Sequence, residues 1–523
     1  MAPRWMTILF GVVLASAASA APGDKREIVR DLAGRVGPIV GSALACQDIA
    51  RPRIQGIVDK FAAVIREGSS NEAERDDLTK AFDRSVASGR SAVTTGKVDC
   101  KLAERQLADL ERSIAGPASS GAPASSGAIV PSASAATAQA TAPAPAPVVG
   151  TTARGVSDRE IRFGIAAPFS GAARELGRQM KLGIDTAFNQ INEAGGVDGR
   201  MLRLIAADDG YEPTRTAEAM KQLYEKEQVF GIIGNVGTPT AAVAVPYALE
   251  RKLLFFGAFT GANLLRHDPP DRYVFNYRAS YAEETDAVVR YLVKLRKLQP
   301  RQIAVFAQQD SYGDSGFAGV AKAFRALGAN DSAILRLGYK RNTVDVDEAV
   351  KQLKAQKLPV RAVVMVSTYR AAAKFIEKTR DIPGMIYTNV SFVGSTALAD
   401  ELMLLGGRFA SGVIVTQVVP AVSGYSSAVL EYKNALAKYF PGEAPDYVSL
   451  EGYISAKVLI EALKRAGPQL DTEKLVDSLE GMRNLDLGLG TSLGFGRAEH
   501  QASHKIWGTA LDENGRYQPI ELE

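Results

Sequence analysis

The stretch from Gly234 to Leu265 is rich in glycine, threonine and small apolar residues, and its single acidic residue is Glu250. It contains no histidine and no cysteine. Two of its loops, GNVGTPT and GAFTGAN, offer the hydroxyls of Thr238 and Thr260 and the main-chain carbonyl of Ala258. Hydroxyl and free backbone N–H donors bind a carboxylate without a cationic side chain. The stretch therefore predicts the binding of an anionic group.

Further loops carry groups of the same kind. In PFSGAARELG, Ser170 stands where a strand turns into a helix, which leaves backbone N–H groups free for an anion. Later loops present Tyr312, Tyr369, Ser391 and Phe392, and aromatic rings beside polar groups close over the apolar part of a ligand. Each loop also has a purely structural interpretation. Glycine and threonine form turns and cap helices, and the aromatic rings suit core packing.

Patterns of catalytic chemistry are absent from the sequence. The three histidines are His267, His500 and His504, and the last two stand four residues apart without a carboxylate at metal-ligand spacing. The glycines of GLGTSLGFG miss the dinucleotide-binding spacing, and no Walker, nucleophile-elbow or zinc-protease motif occurs. We therefore expect no enzyme, no metal and no cofactor. A net charge of +4 over 523 residues gives no reason to expect nucleic acid.

The elements that must position these loops alternate between short β-rich runs and amphipathic helices over residues 153–523. This alternation predicts an α/β fold with mostly parallel sheets and helices on both faces. In such sheets, ligands bind beyond the carboxyl ends of the strands, where the loops above lie. The predicted strands are IRFGIAAPF, MLRLIAADD, VFGIIG, LLFFGAF, QIAVFAQQ, AVVMVS and GVIVTQ.

The first 20 residues have the features of a secretory signal peptide. Arg4 precedes an apolar run from Ile8 to Leu14, and small residues follow up to an expected cleavage after Ala20. The run is too short to span a membrane. No cysteine follows it, so we expect no lipid anchor and no direct membrane insertion. The mature protein is predicted to be exported.

Two further segments lie between the signal peptide and the α/β region. Residues 22–116 show the apolar spacing of a small helical domain, and residues 117–152 are nearly all Ala, Pro, Ser, Gly and Thr, which is typical of a disordered linker. Cys46 and Cys100 both precede the linker. In an oxidising compartment they form a disulfide, and the alternative is a pair of free buried thiols.

Residues 156–523 resemble the periplasmic solute-binding proteins of ABC importers, in the type I class of leucine/isoleucine/valine- and amide-binding proteins. The segments that carry the resemblance are IRFGIAAPFSG, GRQMKLGIDTAFNQINEAGGVDGR, FGIIGNVGTPTAAVAVPYA, FAQQDSYGDSG and GVIVTQ. It implies two lobes joined by crossing strands, with lobe one at about 156–279 and 415–487, and lobe two at about 280–414 and 488–523. It also implies a periplasmic location.

The resemblance assigns roles to the loop residues. The Thr238 and Thr260 positions hold a ligand carboxylate, the Ala258 carbonyl takes an ammonium, and Tyr312 and Tyr369 line the second lobe. Ser391 stands where these binders place the acid that pairs with the ammonium. A hydroxyl does not neutralise a buried ammonium, so the ligand class stays open between an amino acid, an amide, an organic acid and an aromatic acid. The residues that would supply the missing charge are Glu175 and Asp310.

The function that the resemblance implies is capture of a small solute by lobe closure. The closed form delivers the solute to an ABC permease and its ATPase subunits. Two alternatives use the same fold. One is an envelope interaction protein that activates a cell-wall synthase, and the other is a ligand sensor for a signalling partner.

Overall fold

The computed structural model describes residues 22–46, 49–69, 71–95, 98–115 and 153–522. The predicted signal peptide and the predicted linker lie outside the described residues. The chain falls into two compact units that divide between Pro143 and Ala144. No helix in these described ranges is long and apolar enough to cross a membrane.

The first unit is helical, as its apolar spacing predicts. Phe61 and Phe82 stack with ring centroids 4.6 Å apart in its core. A Cβ atom at Gly41 would lie 1.9 Å from the Val86 carbonyl oxygen, so glycine allows two helices to approach closely. The helices are α1 (Pro22–Ala45), α2 (Arg51–Gly68), α3 (Glu72–Thr94) and α4 (Cys100–Ala115).

The predicted disulfide is confirmed. Cys46 and Cys100 are bonded across a sequence separation of 54 residues, with Cα atoms 5.6 Å apart. The bond ties the chain just after α1 to the first residue of α4. Because α2 and α3 lie between the two cysteines, the disulfide closes a loop that contains half of the helical unit.

The second unit contains two sheets, which confirms the predicted α/β class. In the first sheet all strands are parallel and the order is β2-β1-β3-β4-β5. Alternation of buried strands with amphipathic helices places the carboxyl ends of its strands at one edge. Its strands are β1 (Glu160–Ala167), β2 (Met201–Asp208), β3 (Gly231–Ile233), β4 (Leu254–Phe256) and β5 (Val274–Phe275).

The second sheet has the order β12-β11-β10-β9-β8-β6-β7, and only β11 and β12 run antiparallel to their neighbours. The lobe boundary expected at residue 415 lies inside β10 of this sheet. Its strands are β6 (Ile303–Gln308), β7 (Leu335–Tyr339), β8 (Ala362–Val366), β9 (Ile386–Asn389), β10 (Ile414–Gln417), β11 (Trp507–Leu511) and β12 (Tyr517–Ile520).

Helices cover both sheets. Those of the second unit are α5 (Arg174–Glu193), α6 (Pro213–Lys221), α7 (Thr238–Glu250), α8 (Tyr281–Arg290), α9 (Ser311–Ala326), α10 (Asp347–Lys354), α11 (Tyr369–Thr379), α12 (Ser395–Leu405), α13 (Gly407–Ala410), α14 (Ser427–Tyr439), α15 (Tyr447–Ala466) and α16 (Thr472–Glu480). After β10 the chain returns to the first lobe, where α14 and α15 bond to α5 through Gln190.

Two glycines fix the contact between α5 and α15. A Cβ atom at Gly183 would lie 1.8 Å from the Ser449 carbonyl oxygen, and one at Gly452 would lie 2.5 Å from the Met180 carbonyl oxygen. Since both obstacles are main-chain atoms in helices, they do not move without shifting a whole helix.

We expect Gly183→Ala to lower the free energy of unfolding by about 2 kcal/mol, because overpacking forces the two helices apart. Urea unfolding measures the loss. Gly56→Ala is the matched control, since nothing lies within 4 Å of a Cβ atom there. That control is expected to stabilise its helix by up to about 1 kcal/mol. Equal stability of Gly183→Ala and the wild type would contradict the close packing.

Candidate functional site

Two threonine hydroxyls meet at the carboxyl edge of the first sheet. Thr238 begins α7 after β3, and Thr260 lies in the loop after β4. Their hydroxyl oxygens are 2.7 Å apart, and both side chains are fully buried. Backbone bonds between Asn235 and Phe259, and between Gly237 and Phe259, hold the two loops side by side. The structure therefore brings together the two hydroxyls that the sequence separates by 22 residues.

The main-chain groups beside the hydroxyls bond to each other. The Thr260 N–H donates to the Ala258 carbonyl at 2.9 Å. This N–H already donates within the chain, whereas the carbonyl oxygen keeps a second lone pair that accepts from another donor. The donors of this loop that suit a carboxylate are thus the hydroxyls. Burial raises the pKa of the Tyr281 phenol to about 12, and the nearby Thr260 and Thr238 hydroxyls oppose that rise.

The loop around Ser170 binds an anion of its own chain. The Asp208 carboxylate accepts from the Phe169 N–H at 2.8 Å, from the Gly210 N–H at 3.0 Å and from the Ser170 hydroxyl at 2.5 Å. Burial alone raises the pKa of Asp208, but these donors outweigh burial and hold the pKa below its ordinary value. The free N–H groups predicted an anion at this loop. That anion is the Asp208 carboxylate at the end of β2.

The hydroxyls of Tyr312 and Tyr369 both donate hydrogen bonds to main-chain carbonyls. The Tyr312 hydroxyl donates to Ser367 at 3.3 Å within the second lobe. The Tyr369 hydroxyl donates to Ala172 at 2.6 Å, which joins α11 of the second lobe to the first lobe. Tyr369 is therefore a contact between the lobes.

Aromatic rings from both lobes pack against each other in the crevice. The Phe392 ring of the second lobe lies 5.2 Å from Phe259 and 6.1 Å from Tyr211 of the first lobe, measured between centroids. It also lies 4.6 Å from Tyr312. In the structure, Tyr312 and Phe392 thus pack against other aromatic rings. The lobes are closed on a core of the protein's own rings.

Polar contacts at the edge of the crevice also join the lobes. Gln308 donates to the Tyr211 hydroxyl at 3.1 Å, and Arg341 pairs with Glu212 at 2.9 Å. Each pair combines one residue from each lobe. These contacts hold the two lobes against each other in the structure.

Ser391 begins a short 3-10 helix, Ser391–Val393, just after β9 and takes part in a buried charge network. Its N–H donates to the Glu284 carboxylate at 2.7 Å, and its hydroxyl accepts from the Arg278 guanidinium. Arg278 also pairs with Glu284 at 3.3 Å, and both side chains are fully buried. A third charged residue, Glu451 on α15, lies 3.6 Å from Arg278. Ser391, which stands where the resemblance places an acid, thus contacts the Arg278 guanidinium through its hydroxyl.

Comparison with known proteins agrees with this architecture. The family described as "Periplasmic binding protein" matches residues 160–516. The chain belongs to the periplasmic binding protein family. Its two-sheet unit has the type I fold of that family.

Individual relatives are similar over the same unit. A possible leucine/isoleucine/valine-binding protein from Rhodopirellula baltica is 39% identical, with a TM-score of 0.66, and the match covers 70% of this chain and 97% of that one. A substrate-binding periplasmic protein from Ralstonia solanacearum is 26% identical with a TM-score of 0.62, over 69% and 100% of the two chains. The Leu/Ile/Val-binding protein homolog 3 of Brucella melitensis is 27% identical over 64% of this chain and 86% of its own length.

The two acids proposed as charge partners are engaged elsewhere in this periplasmic binding protein. Asp310 caps α9, accepts from Gln308 at 2.7 Å and pairs with Arg341 at 3.0 Å. Glu175 pairs with Arg178 at 2.8 Å and lines a cavity of about 230 Å³ at the mouth of the crevice. Neither acid reaches the contact network of Ser391 within the described residues.

Arg278, Glu284 and Glu451 are the residues of this binding protein that the motifs did not indicate. Each stands in a helix or a turn without a recognisable pattern. One signal was present in the sequence, because Glu451 interrupts the apolar face of a helix that packs in the core. A charged residue on a buried face calls for a partner.

Proposed function

We propose that this chain is the extracytoplasmic solute-binding component of an ABC importer. It captures a small carboxylate-bearing solute between its lobes and delivers it to a membrane permease that an ATPase drives. The class of relatives supports this role. The family and the predicted signal peptide both support a periplasmic location for this role.

The observation that carries the proposal is the position of the hydroxyl pair relative to the lobe contacts. Thr238 and Thr260 lie at the carboxyl edge of the first sheet, where ligands of α/β proteins bind. The Tyr369 hydroxyl bond to Ala172 and the other contacts between lobes form only on closure. A solute that binds both lobes shifts the population toward the closed form, which is the form that a permease distinguishes.

A thermal-shift screen of the full chain tests the proposal. We expect at least one amino acid, amide, organic acid or aromatic acid to raise the melting temperature. A ligand at 100 times its Kd stabilises the folded state by about 2.7 kcal/mol. Thr260→Val removes one hydroxyl donor with little change in volume and is expected to abolish the shift.

Thr186→Val is the matched control, because the buried Thr186 hydroxyl bonds only to the Leu182 carbonyl of its own helix. The control should keep the full ligand shift. An unchanged shift in Thr260→Val would remove that hydroxyl from the site. A panel in which no solute gives a shift would contradict the proposed function.

A second candidate is an envelope interaction protein without a solute. The packing of Phe392 against Phe259 and Tyr312 favours it, since these rings fill the crevice. Binding of a purified cell-wall synthase to the helical unit, together with a solute screen that gives no shift, would support this candidate.

A further inference from the structure

A cavity of about 780 Å³ lies where the chain passes between the two lobes. Asn276 follows β5 of the first sheet, Gln501 precedes β11 of the second sheet, and the two residues pair as parallel strands. The cavity wall contains both residues, together with the loop after β4 and parts of α8 and α9. It also contains all three histidines of the chain, His267, His500 and His504. A proton that binds at this wall therefore acts beside the connection between the lobes.

His504 forms a hydrogen bond with Glu283 on this wall. The His504 Nδ1 atom lies 2.6 Å from Glu283 Oε1, and 58% of the His504 side chain is exposed. Glu283 Oε2 accepts from the Ser280 N–H at 2.6 Å and from the Gln501 amide at 2.9 Å. One oxygen of the carboxylate thus faces a histidine that solvent reaches. The other oxygen is bonded to the start of α8 and to the segment that leads to β11.

Gln501 connects this pair to the first lobe. Its Oε1 atom accepts from Arg266 Nε at 2.6 Å. Arg266 lies in the loop after β4, and it donates to the Ala262 carbonyl and to the Arg278 carbonyl, each at 2.9 Å. The Ala262 N–H in turn donates to the Thr260 hydroxyl at 3.3 Å. Arg266 thus ties the loop that carries Thr260 to the chain between β5 and α8.

These contacts form one relay, which runs from His504 through Glu283 and Gln501 to Arg266. Burial raises the pKa of Glu283, but its hydrogen bonds, that from His504 first, outweigh burial and lower the pKa to about 2. Burial and the nearby Arg278 lower the pKa of Arg266 to about 10, and Glu283 opposes this change. Glu283 and Arg266 therefore both keep their charges near neutral pH.

His504 is the member of the relay that changes charge near neutral pH. Its hydrogen bond with Glu283 raises the pKa of the imidazole above 6.5. Burial and Arg266 oppose this rise, and Glu499 adds to it. Because the pKa is raised in the folded chain, the stabilisation is fully present below about pH 6.5 and is lost as pH rises through the raised pKa.

Other charged groups of the cavity wall have partners outside the relay. His267 pairs with Asp271 at 2.8 Å, and Asp286 pairs with Arg290 at 2.9 Å. His504 itself touches Glu283 and Gln501, so a change of its charge acts on the relay. The titratable or charged residues of the wall outside the relay are His267, Asp268, Asp286, Lys322, Glu499 and His500.

We propose that His504 is a pH-dependent switch at the connection between the lobes. In its protonated form it fixes Glu283, and through Gln501 and Arg266 the fixed carboxylate holds the Thr260 loop against the chain that crosses to α8. A neutral imidazole bonds more weakly to a carboxylate than an imidazolium does, so this hold loosens when His504 loses its proton. The inference goes beyond solute capture and does not depend on which solute the crevice binds.

NMR of the full chain with isotopically labelled histidine tests the first step. Because the chain has three histidines, each imidazole signal is assigned by its loss in one variant. We expect the signal that disappears in His504→Gln to titrate above pH 6.5 in the wild type and at about pH 6.5 in Glu283→Gln. A His504 signal that titrates at or below pH 6.5 in the wild type would overturn the proposal.

Hydrogen exchange tests the step to the first lobe. Protection of residues 258–266, corrected for the intrinsic exchange rate at each pH, is compared at pH 6 and pH 9. We expect protection to fall roughly threefold at the higher pH, since an ion pair that is half exposed has modest strength. His504→Gln should show the lower protection at both pH values. His504→Lys keeps its positive charge at pH 9 and should show the higher protection at both.

His267→Gln is the matched control, because His267 is also 58% exposed and pairs with an acid, Asp271, outside the relay. It should keep the dependence on pH that the wild type shows. Protection that does not change with pH in the wild type, or that changes equally in His504→Gln, would overturn the proposal. Since His504 and His267 are both exposed at the surface, their replacement leaves a folded protein in which the comparison is decisive.

Discussion

Replacement of Cys46 and Cys100 by alanine is expected to lower the free energy of unfolding of the helical unit by about 4 kcal/mol. The disulfide closes a loop of 54 residues in the unfolded chain, and the entropy of that loop sets the magnitude. Such a loss is large, because native domains are typically stable by only about 5–15 kcal/mol. The variant should therefore lose a substantial part of the stability of the helical unit.

Scanning calorimetry of the full chain measures this effect. The chain contains two compact units, so we expect two transitions, of which only that of the helical unit shifts. Mild reduction of the wild type should produce the same shift as the double substitution. If the helical transition does not move, the packing of Phe61, Phe82 and their neighbours suffices, and the disulfide is dispensable for stability.

The second large effect concerns Glu451 and pH. Burial raises the pKa of Glu451 from 4.5 to about 7, while Arg278 opposes the rise and Glu284 adds to it. Between these two pKa values the unfolded chain has lost this proton and the folded chain still holds it. The contribution of Glu451 to stability therefore falls as pH rises from about 4.5 to 7, by up to about 3 kcal/mol in total.

We expect Glu451→Gln to be nearly neutral for stability at pH 4 and to stabilise the protein by up to about 3 kcal/mol at pH 8. Glutamine matches the protonated acid in shape and does not ionise. Urea unfolding of variant and wild type at both pH values measures the difference. Glu461 lies on the same helix and pairs with Lys464 near the surface, so Glu461→Gln should show no such pH dependence. A loss of stability in Glu451→Gln at pH 8 would show that its charge is needed by Arg278.

Several features followed from the sequence alone. Alternating strands and amphipathic helices predicted the α/β unit, and helical spacing predicted the first unit. The meeting of Thr238 and Thr260 was predictable because the carboxyl ends of parallel strands share one edge of a sheet. The pairing of Cys46 with Cys100 was predicted from the expected export and from the absence of other cysteines, and the structure confirms it over a pair of free thiols.

Other features depended on contacts between distant segments. The N–H groups at Ser170 looked free in the sequence, but Asp208 reaches them from the next strand. The hydroxyls of Tyr312 and Tyr369 looked available for a ligand, but each reaches a main-chain carbonyl. Whether a polar group is satisfied depends on every neighbour in space, and spacing along the chain does not encode those neighbours.

The buried charges around Arg278 show most clearly that spacing along the chain does not encode contacts between distant segments. Arg278, Glu284 and Ser391 converge with Glu451 although no motif links them. Local patterns determined which loops lie at the carboxyl edge of the first sheet, because strand direction and helix periodicity are local properties. Only the tertiary structure decided which charges face those loops, because desolvation and pairing arise when segments far apart in sequence are buried together.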